Sequence, residues 1–117
     1  QIERMGQWVK GKSADTFGPT GPFLVTKEDL PNAENLKLEL KINGKEMQSG
    51  NTSKMIFNMN FILSYLSHFM SLQPGDIITT GTPSGVGMAK KPPIFLKSGD
   101  EIELAIDNLG TQHQKVK

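Results

Sequence analysis

Residues 36–48 read LKLELKINGKEMQ, and this stretch decides the fold. Leu36, Leu38, Leu40 and Ile42 alternate with Lys37, Glu39 and Lys41, the period-two pattern of a strand with one buried face and one wet face. Asn43-Gly44 follows, a pair that tolerates the positive φ of a type I′ turn, so the spacing predicts a β-hairpin. Further out, residues 99–107 (GDEIELAID) alternate again, with Ile102, Leu104 and Ile106 on one face. A weaker strand is expected near residues 112–116. Residues 76–80 (DIITT) read as a short β-branched strand running into a glycine-rich loop.

One helix is expected, over residues 53–70 (SKMIFNMNFILSYLSHFM). Met55, Met59, Ile62, Leu66, Phe69 and Met70 recur at three- and four-residue steps and form one apolar stripe. Asn51, Thr52 or Ser53 can cap its first amides, and Pro74 cannot continue its ladder. The expected class is β-dominated α+β, one domain's worth of chain with no internal repeat and no linker.

Composition removes several function classes. The 117 residues carry 13 Lys+Arg against 12 Asp+Glu, a net charge of +1 with the signs interspersed, which gives no footprint for gripping nucleic acid. The absence of Cys excludes disulfides, thiolate zinc sites and cysteine nucleophiles. No apolar run approaches the roughly 18–20 residues of a membrane-spanning helix. The chain opens on Gln1 rather than Met and has no signal peptide, which leads us to expect polypeptide upstream.

Two loops could carry chemistry. Residues 79–87 (TTGTPSGVG) match neither GxGxxG nor GxxxxGK[ST], and no helix follows to aim its N-terminus at a phosphate. Ser84 is not in a GxSxG elbow. Thr82 could hold a carboxylate or an oxyanion with its hydroxyl, or it could simply bond its own backbone in a glycine-rich turn. In residues 10–22 (KGKSADTFGPTGP), Lys12 precedes a stiff Gly/Pro loop. Its ammonium could stabilise an enolate or move a proton, or it could be a solvated surface charge. Asp15 reads as a turn-former. His68 and His113 are too isolated to build a zinc site, and Glu101 and Glu103 look like the wet side of a strand. Trp8 and the methionines read as packing, and Lys115 and Lys117 as an ordinary charged tail.

Taken together, KGKSADTFGPTGP, SGNTSKMIFN and LQPGDIITTGTPSGVG resemble, in order and approximate spacing, the fumarylacetoacetate hydrolase family. Within it the chain is most similar to the acylpyruvase and 2-hydroxyhepta-2,4-diene-1,7-dioate isomerase branch. The resemblance extends across nearly the whole chain and implies a mixed β-sandwich roll, usually a homodimer in the cytoplasm, in a C-terminal portion of the catalytic domain (1–117). It also implies a Mg²⁺- or Mn²⁺-dependent site for a small 2-oxo acid or its enol, with no nucleic-acid or membrane partner. By residue match, Lys12 is the family's active-site lysine and Thr82 the threonine that bonds substrate. Gly81 and Pro83 shape that loop, Gln1 matches a pocket-lining glutamine, and Thr16 matches a second-cation position.

The departures from the family pattern carry an expectation of their own. The family's metal ligands, a Glu-x-Glu pair and an Asp, lie upstream of the matched segment, and Glu101-Ile-Glu103 is in the wrong part of the order to replace them. Gln112 and Gln114 stand where the family often has an apolar residue and an asparagine, which leaves the pairing of the last strand open. The expectation is therefore part of an enzyme for C–C bond hydrolysis, decarboxylation or isomerisation, inactive alone. The alternative is a non-catalytic β-rich module that assembles through exposed strand edges.

Overall fold

A computed structural model describes residues 5–117. The elements run α1 (Trp8–Lys12), β1 (Lys37–Ile42), β2 (Lys45–Asn51), α2 (Met59–Ser67), β3 (Glu101–Ile106) and β4 (Gly110–Lys115), with short 3₁₀ turns at Thr52–Lys54 and Gly87–Ala89. The four strands form one antiparallel sheet in the order β2-β1-β3-β4. The β-dominated α+β class is as the sequence predicts.

The hairpin forms where the alternation predicts it. Asn43 and Gly44 take φ of 50° and 76°, the positive pair that a type I′ turn needs. The turn also anchors β3. Asn43 N–H donates to the Glu101 carbonyl at 2.8 Å, its Oδ1 accepts from Glu101 N–H at 2.9 Å, and its Nδ2 donates to Asp100 at 2.9 Å. Those bonds hold Ile102 opposite Ile42, and the register then runs to Leu38 opposite Ile106. A second clasp closes the other end of the sheet. Thr52 Oγ1 accepts from Leu36 N–H and donates to the Ala33 carbonyl, both at 2.8 Å, while Thr52 N–H donates to the Leu36 carbonyl at 2.9 Å. Leu36, between these bonds, is 5% exposed and is the one buried apolar residue among the described residues.

Two expectations about elements are corrected, and a pairing left open is resolved. The helix predicted over residues 53–70 is divided into a 3₁₀ turn at Thr52–Lys54 and α2 at Met59–Ser67. Two asparagines compete to start it: Asn51 Oδ1 accepts from Ser53 N–H and Asn58 Oδ1 from Phe61 N–H, each at 2.8 Å, and each begins its own helical turn. At the far end the Ser64 carbonyl accepts from Ser67 Oγ and lies 2.7 Å from His68 Nδ1, and α2 stops there. Residues 76–80 join no sheet, because no strand among the described residues lies alongside to satisfy their backbone groups. The last strand, by contrast, pairs along its full length with β3, from Glu101 opposite Lys115 to Ile106 opposite Gly110. Its half-buried glutamines satisfy each other, with Gln114 Nε2 donating to Gln112 Oε1 at 2.8 Å and Gln112 Nε2 donating to the Gly21 carbonyl.

The fold is open. A folded monomer of 12.9 kDa exposes about 6,300 Å², whereas this chain exposes 9786 Å². Its radius of gyration is 15.7 Å, against about 13 Å for a compact domain of this length. Phe57, Phe61, Tyr65 and Phe69 lie four residues apart, and their rings follow one another at centroid spacings of 4.8, 6.2 and 5.0 Å. All four are at least half exposed. Such a row on a helix is ordinarily a buried face.

Candidate functional site

Glycines seat the 79–87 loop against β2. A Cβ on Gly85 would lie 2.1 Å from the Met47 carbonyl oxygen, and Gly85 has φ of 108°, so both space and backbone demand glycine there. A Cβ on Gly50 would meet the Pro83 ring at 2.7 Å. The cluster of glycines is thus a close-approach device between loop and strand, not a phosphate cradle.

Gln48 ties the loop down from the same strand. Its Nε2 lies 2.7 Å from Thr82 Oγ1 and 2.6 Å from the Pro83 carbonyl oxygen. Thr82 Oγ1 therefore accepts from a side chain of β2, a partner that neither sequence reading of Thr82 named.

Between this loop, the end of β2 and the following 3₁₀ turn lies a cleft of about 650 Å³. Gly81, Thr82, Ser84, Ser49 and Asn51 give it a polar side, while Leu38, Met55, Phe57 and Ile62 give it an apolar side. Lys54 is the one charged residue in its lining. A polar rim over an apolar floor suits a small acid with a carbon tail. Neither Gln48 nor Lys54 stood out in the sequence. On β2 Gln48 shares a strand face with Gly50, the glycine that admits Pro83, a relation visible only once the loop is seated.

The other sequence candidates lie elsewhere. Lys12 ends α1, is exposed, and is not in the lining of this cleft. Thr16 is exposed and holds φ of 69°, uncommon for a β-branched residue. Gln1 lies outside the described residues. A second hollow, of about 390 Å³, opens on the sheet surface beside Glu101, Glu103, His113 and Lys115. There Glu103 faces Lys41 Nζ at 3.3 Å and His113 Nδ1 at 3.8 Å, an exposed charge cluster of little energetic weight.

The groups with displaced pKa values all lie away from the cleft. The Asn43 side chain and the Lys97 backbone N–H hold Asp100 below its ordinary value, and Lys37 and Glu39 strengthen each other's charged forms as a pair. No group of three His, Asp or Glu side chains among the described residues could hold a metal ion. Their donor set does not by itself fit a divalent cation. No helix among them is long and apolar enough to cross a membrane.

Comparison with known proteins gives a consistent picture. The chain is 55% identical, over its whole length, to a Burkholderia cenocepacia protein provisionally named as a hydrolase, and it spans 42% of that protein. Among solved structures, a fumarylacetoacetate hydrolase from Exiguobacterium antarcticum superposes with a TM-score of 0.89 at 41% identity, covering 92% of this chain and 39% of the other. A 2-hydroxyhepta-2,4-diene-1,7-dioate isomerase from Mycobacterium marinum gives 0.84 at 40% identity, covering 99% and 42%. Maleylpyruvate hydrolase from Sphingobium sp. SYK-6, solved with manganese(II) and pyruvate, gives 0.77 at 36% identity, covering 87% and 36%. The family described as fumarylacetoacetate (FAA) hydrolase C-terminal matches residues 1–117. Motifs, fold and relatives agree, and the chain belongs to the fumarylacetoacetate hydrolase family.

Proposed function

We propose that residues 1–117 form the C-terminal part of a catalytic domain acting on a small 2-oxo or 2-hydroxy-dienoic acid. The reaction class is C–C bond hydrolysis, decarboxylation or isomerisation. The observation that carries this reading is the Thr82 loop, which glycine contacts and Gln48 fix against β2 at the rim of a half-apolar cleft. In this reading the Thr82 hydroxyl and the Gly81 backbone bind an acid oxygen, and the apolar floor takes the carbon tail. By family match the Lys12 ammonium, which lies outside the lining of this cleft, stabilises developing negative charge or relays a proton once the rest of the protein completes the site. By family match Gln1, which lies outside the described residues, is assigned to the pocket and Thr16 to a second-cation position.

A divalent ion, Mg²⁺ or Mn²⁺, belongs to the proposal and would supply Lewis-acid stabilisation of an enolate. Its ligands lie outside this chain. Support comes from the manganese and pyruvate bound in the maleylpyruvate hydrolase relative. The chain spans about two fifths of its curated relatives, so turnover by residues 1–117 alone is not expected. A homodimer in the cytoplasm completes the reading.

The open surface favours one alternative, a non-catalytic β-rich module. β2 and β4 end the sheet, and the aromatic row of α2 is uncovered. Turnover separates the two. The full-length protein should process an acylpyruvate, oxaloacetate or a hydroxydienoate, and Lys12→Ala and Thr82→Val should each lower the rate by about a hundredfold. Unchanged rates in both variants would overturn the catalytic reading, and full-length protein inert on all three substrates would favour the module.

A further inference from the structure

The Pro83 carbonyl can only accept a hydrogen bond. The Gln48 atom 2.6 Å from it must therefore be the amide nitrogen rather than the amide oxygen, which fixes the orientation of the side-chain amide. That same nitrogen lies 2.7 Å from Thr82 Oγ1. An amide NH₂ has two hydrogens and no acceptor capacity, so it spends one on Pro83 and one on Thr82. The Thr82 oxygen is thereby an acceptor toward β2, and its own hydrogen is left for another partner. Thr82 lines the cleft, so a group bound there is within the loop's reach.

We propose that Gln48 is a positioning residue: by donating to the Thr82 oxygen it leaves the Thr82 hydrogen to be donated to an anionic oxygen, a carboxylate or enolate, in the cleft. The inference rests on the reading of Thr82 as a substrate-binding residue and adds to it the side chain that directs its hydrogen.

The test uses the full-length protein with its divalent ion, and pyruvate as the probe, followed by calorimetric titration. Gln48→Glu keeps the size of the side chain but places an acceptor beside the Thr82 oxygen, which turns the hydroxyl inward. Pyruvate binding should weaken by about tenfold or more near neutral pH. It should recover on acidification, as the new carboxyl gains a proton, a pH dependence that Gln48→Leu should lack. Thr82→Ser should bind as the parent does, and Thr82→Val should lose affinity. Gln48→Leu added to Thr82→Val should cost little more, because the two side chains act as a unit.

Wild-type affinity in Gln48→Glu, or full additivity of Gln48→Leu with Thr82→Val, would overturn the role of Gln48 while leaving Thr82 in its site. Unchanged affinity in Thr82→Val would remove the substrate-binding reading itself, and the inference with it.

Discussion

The sheet and the 79–87 loop are neighbours held by different physics. In the sheet, ladder hydrogen bonds run from β2 to β4, and apolar alternation chooses which face turns inward. Many weak contacts share the load, so most single side chains are replaceable. The loop has no ladder. It is held by close backbone approach at Gly85 and Gly50 and by one amide side chain. The sheet therefore governs whether the chain folds, and the loop governs whether the cleft is shaped to bind. Stability and function should be separable by mutation.

The sharpest way to break that comparison is a pair of substitutions, one on each side of it. Gly85→Val puts a branched side chain where even a Cβ is 2.1 Å from the Met47 carbonyl, at a φ of 108°. The loop must lift from β2. Turnover of the full-length protein should fall by about a hundredfold, with the sheet's amide protection retained. Leu36→Ala should do the reverse. It truncates the one buried apolar residue among the described residues, and should lower unfolding free energy by about 2–5 kcal/mol in a urea titration. Residual folded protein should keep its pyruvate affinity. If Gly85→Val unfolded the chain and Leu36→Ala abolished binding in folded protein, the division would be wrong.

What could be read from the sequence follows the same division. The hairpin was legible because alternation and the Asn43-Gly44 turn are local, and neighbours in sequence are neighbours across the turn. β3 was legible for the same reason. The helix start was not, because Asn51 and Asn58 are both good caps and periodicity cannot arbitrate between them. The DIITT stretch has strand propensity but no partner, and propensity alone makes no ladder. The glutamines of β4 looked unfavourable only because their mutual hydrogen bond could not be foreseen. At the site, the family motifs pointed to Thr82 and Gly81. Gln48 stayed hidden because its contact with Thr82 spans 34 residues.

A smaller effect sharpens the sheet side of the comparison. Asp100 is held below its ordinary pKa by the Asn43 side chain, then by the Lys97 backbone N–H. A carboxylate lowered on folding adds stability above its unfolded value of about 3.9. That contribution fades as pH falls through the lower folded value. The urea midpoint should therefore drop modestly on going from pH 6 to pH 3, because exposure to solvent weakens the interaction. Asp100→Asn should show a shallower acid-side loss, and an identical profile would remove Asp100 from the account.

The central claim is that this chain carries the acid-binding cleft of a site whose cation is held by the rest of the protein. Calorimetric titration of Mn²⁺ into residues 1–117 and into the full-length protein tests it most directly. The account predicts stoichiometric binding by the full-length protein and none by residues 1–117. Tight, one-to-one Mn²⁺ binding by residues 1–117 alone would contradict it.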